Sequence, residues 1–231
     1  MTTPDQIPAG SRGKGMPTYV VLDVSGSMKA HQDLLNDTLA KIVNTLYLSP
    51  RIAEFIHLSI ITFSTTPNVV LRMTGIKDLR SLPTVDCKGV TNFGPTFRLL
   101  RERIEVDLPH LAAEGVTVLR PVIFLLTDGA PSDTPADAWA EPLRALTDRE
   151  WKPYPHIITY GFGAAVVSVL SRMSTLAAYV ADGDCVSNSE ALSSALSSLL
   201  NSLVASAQFQ DLRLPEEVRG FRSLSLEPID M

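Results

Sequence analysis

Cysteine is scarce, with only Cys87 and Cys185 in 231 residues. Two distant thiols without a CxxC pair make neither a disulfide framework nor a structural zinc site, and they fit reduced thiols in a cytosol. Basic clusters are missing as well. Twenty Lys and Arg stand against 25 Asp and Glu, for a net charge of −5. With no basic face to neutralise phosphates, nucleic acid is not the expected partner. No apolar run nears the roughly 20 residues that span a bilayer, and the polar, Gly/Pro-rich start lacks the apolar stretch of a secretory signal. The expectation is a cytoplasmic chain with no membrane partner. His31, His57, His110 and His156 are scattered without metal spacing and read as structural or surface residues. Apolar material, by contrast, is ample. Hydrophobic residues make up 45% and charged residues 19%, enough for a buried core and too apolar for a chain disordered throughout. The length suits one generous domain.

Residues 1–17 carry two prolines and three glycines before Pro17 closes the segment, and they are expected to be flexible. From Thr18 the pattern changes. Thr18 to Asp23 is a nearly continuous apolar run, as in a strand covered on both faces. Leu34, Leu35, Leu39, Ile42, Val43 and Leu46 recur at helical spacing and stop before Pro50. Ile56 to Phe63 and Val69 to Met73 read as two strands paired through the Ser64–Asn68 turn. Phe97, Leu100, Ile104 and Leu108 form a helical stripe, interrupted by Pro109. Pro121 to Leu126 is the clearest buried strand, followed by a turn-rich stretch and a helix from Ala136 to Leu146. His156–Tyr160 and Ala177–Ala181 complete the strands, with a short helix from Val166 to Met173 between them. Leu192, Leu196, Leu199 and Leu203 mark a last helix whose Ser-rich face, near Ser193 to Ser198, reads as solvated. The domain is expected to span 18–207, with 208–231 an irregular tail. Strands alternating with helices predict an α/β fold: doubly wound, with a mostly parallel central sheet, one antiparallel edge strand and helices on both faces.

The chemistry sits where strands end. Asp23-Val-Ser25-Gly-Ser27 follows the first apolar strand, and Thr127-Asp128-Gly129 follows the clearest one. Open α/β sheets build sites at the carboxyl ends of strands, where the strand order reverses. Two carboxylates converging there without a counter-ion repel each other, which argues for a bound cation. Ser25 and Ser27 add neutral hydroxyl oxygens. A set of oxygens without His or Cys suits Mg²⁺ far better than Zn²⁺.

Asp23-x-Ser25-x-Ser27 resembles the first signature of the metal-ion-dependent adhesion site of von Willebrand factor type A (vWA) domains. Gly89-Val-Thr91-Asn-Phe-Gly and Leu126-Thr-Asp128-Gly resemble the loop Thr and the Asp that complete that site. The resemblance covers roughly Thr18 to Ala207. It implies a Rossmann-like vWA fold in which Asp23, Ser25, Ser27, Thr91 and Asp128 hold Mg²⁺, or Mn²⁺ in its place, with a water position open to a partner's Asp or Glu. Val21 to Met28, Leu58 to Phe63 and Phe124 to Asp133 are similar to the bacterial TerY-like branch, tied to tellurite resistance and stress operons. That likeness implies a partner such as a kinase or phosphatase of the same operon. The expected function is a non-enzymatic, Mg-dependent protein-interaction module in such a stress or phosphosignalling complex. A Mg-dependent phosphoester hydrolase using the same carboxylates is the competing reading.

Plainer readings of the same residues exist. Ser25 and Ser27 could be turn and helix-capping residues, although capping leaves the convergence with Thr91 and Asp128 unexplained. Asp23 as a dehalogenase-type phosphatase nucleophile would need a second Asp two residues on, where Ser25 stands. Gly161-Phe-Gly163 follows a late strand and lacks the third small residue of a dinucleotide loop, so it reads as a tight turn. Cys87, four residues before Thr91, reads as a plain thiol.

Overall fold

The computed structural model describes residues 13–79, 84–183 and 185–226. Most of the N-terminal segment expected to be flexible, residues 1–12, lies outside them, while β1 already begins at Lys14.

The strands are β1 (Lys14–Asp23), β2 (Ile56–Phe63), β3 (Asn68–Gly75), β4 (Thr117–Val118), β5 (Val122–Thr127), β6 (His156–Gly161), β7 (Ala177–Ala181) and β8 (Phe221–Ser223). The helices are α1 (Gln32–Tyr47), α2 (Pro50–Phe55), α3 (Phe93–Ala113), α4 (Ala140–Thr147), α5 (Val167–Met173) and α6 (Asn188–Phe209). The strand order is β3-β2-β1-β5-β6-β7-β8, with β4 paired to the start of β1. β1, β2, β5, β6 and β7 run parallel. After β1 the chain builds outward to β2 and β3; from β5 it builds the other way. The order therefore reverses between β1 and β5, whose registered pairs end at Leu22 and Leu126.

The sheet is covered on both faces because its central strands alternate large apolar side chains. Val20, Leu22, Phe124, Leu126 and Ile158 face one core, with Leu35, Leu39, Leu192, Leu196 and Leu199 of α1 and α6. Tyr19, Val21, Ile123, Leu125 and Ile157 face the other, with Phe97, Leu100 and Ile104 of α3 and Leu143 of α4. Continuous burial of β1, β2 and β5 follows from having helices on both sides.

Four features differ from the sequence reading. Both edge strands are antiparallel: β3 against β2, as expected, and β8 against β7. The segment expected to be an irregular tail therefore contributes a strand, three residues long and too short to show alternation. Pro50 ends one helix and opens another, since it stands in the first turn of α2, where a missing N–H costs nothing. Pro109 lies inside α3; Pro109 and Glu105, whose carbonyl it leaves without a donor, are both exposed. The serine face of α6 is not all solvated. Ser198, Ser202 and Ser206 are buried, one turn apart, and Ser198 shares a 2.9 Å hydrogen bond with the Tyr160 hydroxyl of β6.

Candidate metal centre

Asp23 is the last residue of β1 and Asp128 the first after β5, so pairing of these strands sets the two carboxylates side by side at the reversal of strand order. Asp23, Ser25, Thr91 and Asp128 are each at most 5% exposed, whereas Ser27 is exposed. The structure brings all five expected residues together, and the site opens to solvent at Ser27.

The contacts form a connected set. The Ser25 amide donates to Asp23 Oδ1 at 2.9 Å. Ser25 and Ser27 hydroxyls lie 3.0 Å apart, and the Ser27 hydroxyl donates to Asp128 Oδ1 at 2.8 Å. The Thr91 hydroxyl reaches Asp23 Oδ2 at a long 3.5 Å. Thr127, for which the sequence alone indicates no role, donates its hydroxyl to the same oxygen at 2.6 Å. That bond depends on β1–β5 register across 104 positions, which no local pattern reports.

Burial holds the Asp23 carboxyl above its ordinary value, more than the hydrogen bonds from Thr127 and Ser25 pull it down, and the Asp128 charge pushes it further up. Burial likewise raises Asp128, against the Ser27 hydrogen bond and the field of His31. Among the described residues no Lys or Arg pairs with either carboxylate. Two buried carboxylates with no cationic partner among the described residues, next to three hydroxyls, make a concentrated negative site that a hard divalent cation fits. The donors are all oxygen. Among the described residues no group of three or more His, Cys, Asp and Glu is placed to hold a metal, so hydroxyls have to complete any coordination here.

The loops are stitched in place by main-chain bonds. The Gly26 amide donates to the Gly89 carbonyl at 2.9 Å and the Lys88 amide to the Val24 carbonyl at 2.7 Å. From α1, the Asn36 side chain pairs with both the N–H and the C=O of Val85, and the Gln32 side-chain oxygen Oε1 accepts from the Cys87 amide. Gly129 is needed for close approach, since a Cβ there would stand 2.9 Å from the Thr91 hydroxyl oxygen. The Gly161-Phe-Gly163 segment is a tight turn beneath Asp128: the Ala164 amide donates to the Asp128 carbonyl at 2.8 Å.

Cys87 is buried, and burial pushes its thiol up to about 11. Against an ordinary value near 9.0 this leaves about a hundredfold less thiolate at neutral pH. Cys87 is thus expected to react with iodoacetamide at pH 7.5 about a hundredfold more slowly than a peptide thiol, as followed by mass spectrometry. Labelling at the peptide rate would show a thiol more open than the structure has it.

Comparison with protein-family models and with curated proteins finds no match. Solved structures do match. A von Willebrand factor type A protein from Catenulispora acidiphila superposes with a TM-score of 0.54 at 16% identity, over 83% of this chain and 43% of that one. The pilus adhesin SpaC of Lactobacillus rhamnosus GG gives 0.61 at 11%, over 83% and 30%. Proximal thread matrix protein 1 of the mussel byssus, solved with its metal-ion-dependent adhesion site occupied by zinc, gives 0.53 at 18%, over 85% and 49%. The chain spans about half or less of the length of these structures. It is a doubly wound α/β domain with the candidate site at the reversal of strand order. More narrowly, its fold is that of a von Willebrand factor type A domain. Among the described residues no helix is long and apolar enough to cross a membrane.

Proposed function

We propose that this domain is a non-enzymatic interaction module that uses a divalent cation, Mg²⁺ by choice of donors, to capture an Asp or Glu of a partner protein. The observation that carries this is the pair of buried carboxylates, Asp23 and Asp128, raised by burial and without a Lys or Arg partner, beside the hydroxyls of Ser25, Ser27 and Thr91. A bound cation supplies a coordination position for an outside carboxylate. Asp23 and Asp128 contribute two negative charges, which balance the ion without making it repel a further anion. Ser25, Ser27 and Thr91 contribute neutral oxygens, and the exposed Ser27 side is where a partner gains access. The zinc-occupied adhesion site of the mussel protein is a property of that protein; its shared fold supports the placement of a metal here. The phrase-level likeness to the TerY-like branch adds the proposal that the partner is a kinase or phosphatase of a bacterial stress operon and that the complex is cytoplasmic.

The hydrolase reading needs a nucleophile or general acid beyond the ligand set. The groups that contact Asp23 and Asp128 are hydroxyls and main-chain amides, and Cys87 is held as a neutral thiol, which favours the module.

The test is recovery of the partner on immobilised protein. We expect recovery to be lost in EDTA, lost with folded Asp23→Ala and Thr91→Ala variants, and lost when one acidic residue of the partner is replaced. Turnover of p-nitrophenyl phosphate with Mg²⁺ is expected to stay at the buffer rate. Capture that persists in EDTA and in both variants sinks the metal-bridged reading, and metal-dependent turnover abolished by Asp23→Ala favours the hydrolase.

A further inference from the structure

We propose that Asp133, which is not one of the five ligand residues, is a positioning residue for the metal centre: it fixes Thr91 from the loop that carries Asp128. The inference rests on the metal-centre reading above.

The 21-residue helix α3 begins directly after Thr91 and Asn92, and its own N-cap residue Asn92 makes no side-chain capping bond. The cap comes from elsewhere in the chain. Asp133 Oδ2 accepts from the Phe93 amide at 2.9 Å and Asp133 Oδ1 from the Gly94 amide at 2.8 Å. A carboxylate bridging two free amides at the positive end of a long helix is a strong, directional contact. Its neighbour Ser132 holds Thr91 itself: the Ser132 amide donates to the Thr91 carbonyl at 2.8 Å, and the Thr91 amide donates to the Ser132 hydroxyl at 3.4 Å. Every main-chain polar group of Thr91, and the amides of Phe93 and Gly94, are thereby taken by two consecutive residues of the β5–α4 loop.

The fit is close. A Cβ on Gly94 would stand 3.0 Å from Asp133 Oδ1 and 3.2 Å from the Ala138 carbonyl oxygen, and a Cβ on Gly129 would stand 2.9 Å from the Thr91 hydroxyl. Glycines at both points let the two loops approach. Asp128 and Asp133 are five positions apart on one loop, so holding Thr91 at Ser132 and the helix start two residues on at Asp133 sets the Thr91 hydroxyl relative to the Asp128 carboxylate. The charge of Asp133 is spent on the helix amides, so its effect on a cation runs through Thr91. The rear of α3 is held separately, through the Tyr19 hydroxyl on Asp107, which lets cap and helix stability be told apart.

The experiment is the Mn²⁺ dissociation constant, by calorimetry or electron paramagnetic resonance, of the full chain and of Asp133→Ala, Asp133→Asn and Tyr19→Phe. It is run at a temperature where circular dichroism shows each folded. Outer partners that orient ligands are typically worth 10- to 100-fold in metal affinity. We expect Asp133→Ala to bind Mn²⁺ roughly 10- to 100-fold more weakly, and Asp133→Asn, which keeps one acceptor oxygen, to fall between. Amide hydrogen exchange at Phe93 and Gly94 in EDTA should accelerate in both. Tyr19→Phe should melt earlier yet keep the wild-type dissociation constant. If Asp133→Ala does not fold, Asp133→Asn carries the test. Wild-type binding that the Asp133 variants leave within twofold overturns this inference alone, as does an equal loss in Tyr19→Phe. A wild-type chain that does not bind Mn²⁺ overturns the metal-centre reading and this inference with it.

Discussion

Adding millimolar Mg²⁺ or Mn²⁺ to metal-free protein is expected to raise its melting temperature by about 5–10 °C over the same protein in EDTA. The reasoning is linkage: an ion that binds only the folded arrangement of Asp23 and Asp128 stabilises it by about 2.7 kcal/mol at a hundred times its dissociation constant, and each kcal/mol moves a domain of this size by about 2–4 °C. Asp128→Asn should abolish the metal response. In EDTA the same variant should be about as stable as the parent, or slightly more so, because one of two facing buried anions is gone. The pH dependence has a definite sign. Both carboxyls sit above the ordinary value of 3.8 in the fold, so the folded chain binds their protons more tightly than the unfolded chain does. Their contribution in EDTA is therefore most favourable in acid and declines as pH rises through the raised values. Protons and metal compete for the same oxygens, so the metal increment should shrink as pH falls. A melting curve unmoved by metal at pH 7.5, in protein shown to be metal-free, would remove the site. A loss well beyond about 2 kcal/mol for Asp128→Asn in EDTA would make that residue a holder of backbone groups instead.

What the sequence made legible was whatever lay close together along the chain. Asp23, Ser25 and Ser27 are nearly contiguous and follow an unbroken apolar strand. Asp128 follows another, so their shared height in the sheet could be reasoned from strand ends alone. Thr91 needed the family resemblance, because a Thr in a Gly-rich loop has no periodic signal of its own. Thr127 and Asp133 stayed without a role for the opposite reason. Both stand in a stretch that reads as a turn, and their partners are Asp23, Phe93 and Gly94, between 39 and 104 positions away. The short elements failed on length. Neither the six residues of α2 nor the three of β8 complete a period that hydrophobic alternation could reveal. The α6 serines misled because hydroxyls count as polar in any stripe. Ser198, Ser202 and Ser206 instead lie on a narrow buried face of the helix, where the Ser198 hydroxyl meets that of Tyr160 and the Ser206 hydroxyl accepts from the Arg213 amide, so the buried hydroxyls keep partners.

Asp107→Ala is expected to be the most destabilising single change outside the apolar core, at about 3 kcal/mol, the lower end of the range for breaking a buried pair. Asp107 sits on the sheet-facing side of α3 and is 4% exposed. One carboxylate oxygen accepts from the Tyr19 hydroxyl at 3.0 Å, and the other pairs with the Arg103 guanidinium one turn back. Tyr19 lies in the middle of β1 and is fully buried; burial first, and then the Asp107 charge, hold its hydroxyl protonated. Truncating Asp107 orphans that hydroxyl and strips Arg103 of its counter-ion. The Arg103 side chain keeps about a fifth of its surface in water, which is why the lower end of the range applies. Tyr19→Phe removes a donor only and leaves Asp107 paired with Arg103, so about 1–2 kcal/mol is expected. In the double variant the two losses should fall short of their sum, because the same hydrogen bond is counted in each. Denaturant unfolding of the two single variants and the double variant in EDTA measures all three. Full additivity would mean that Tyr19 and Asp107 stabilise the fold through separate contacts. The metal dissociation constant should meanwhile stay where it is in Tyr19→Phe, since β1 carries Asp23 at its far end and Thr91 is fixed at the front of α3, not at its rear.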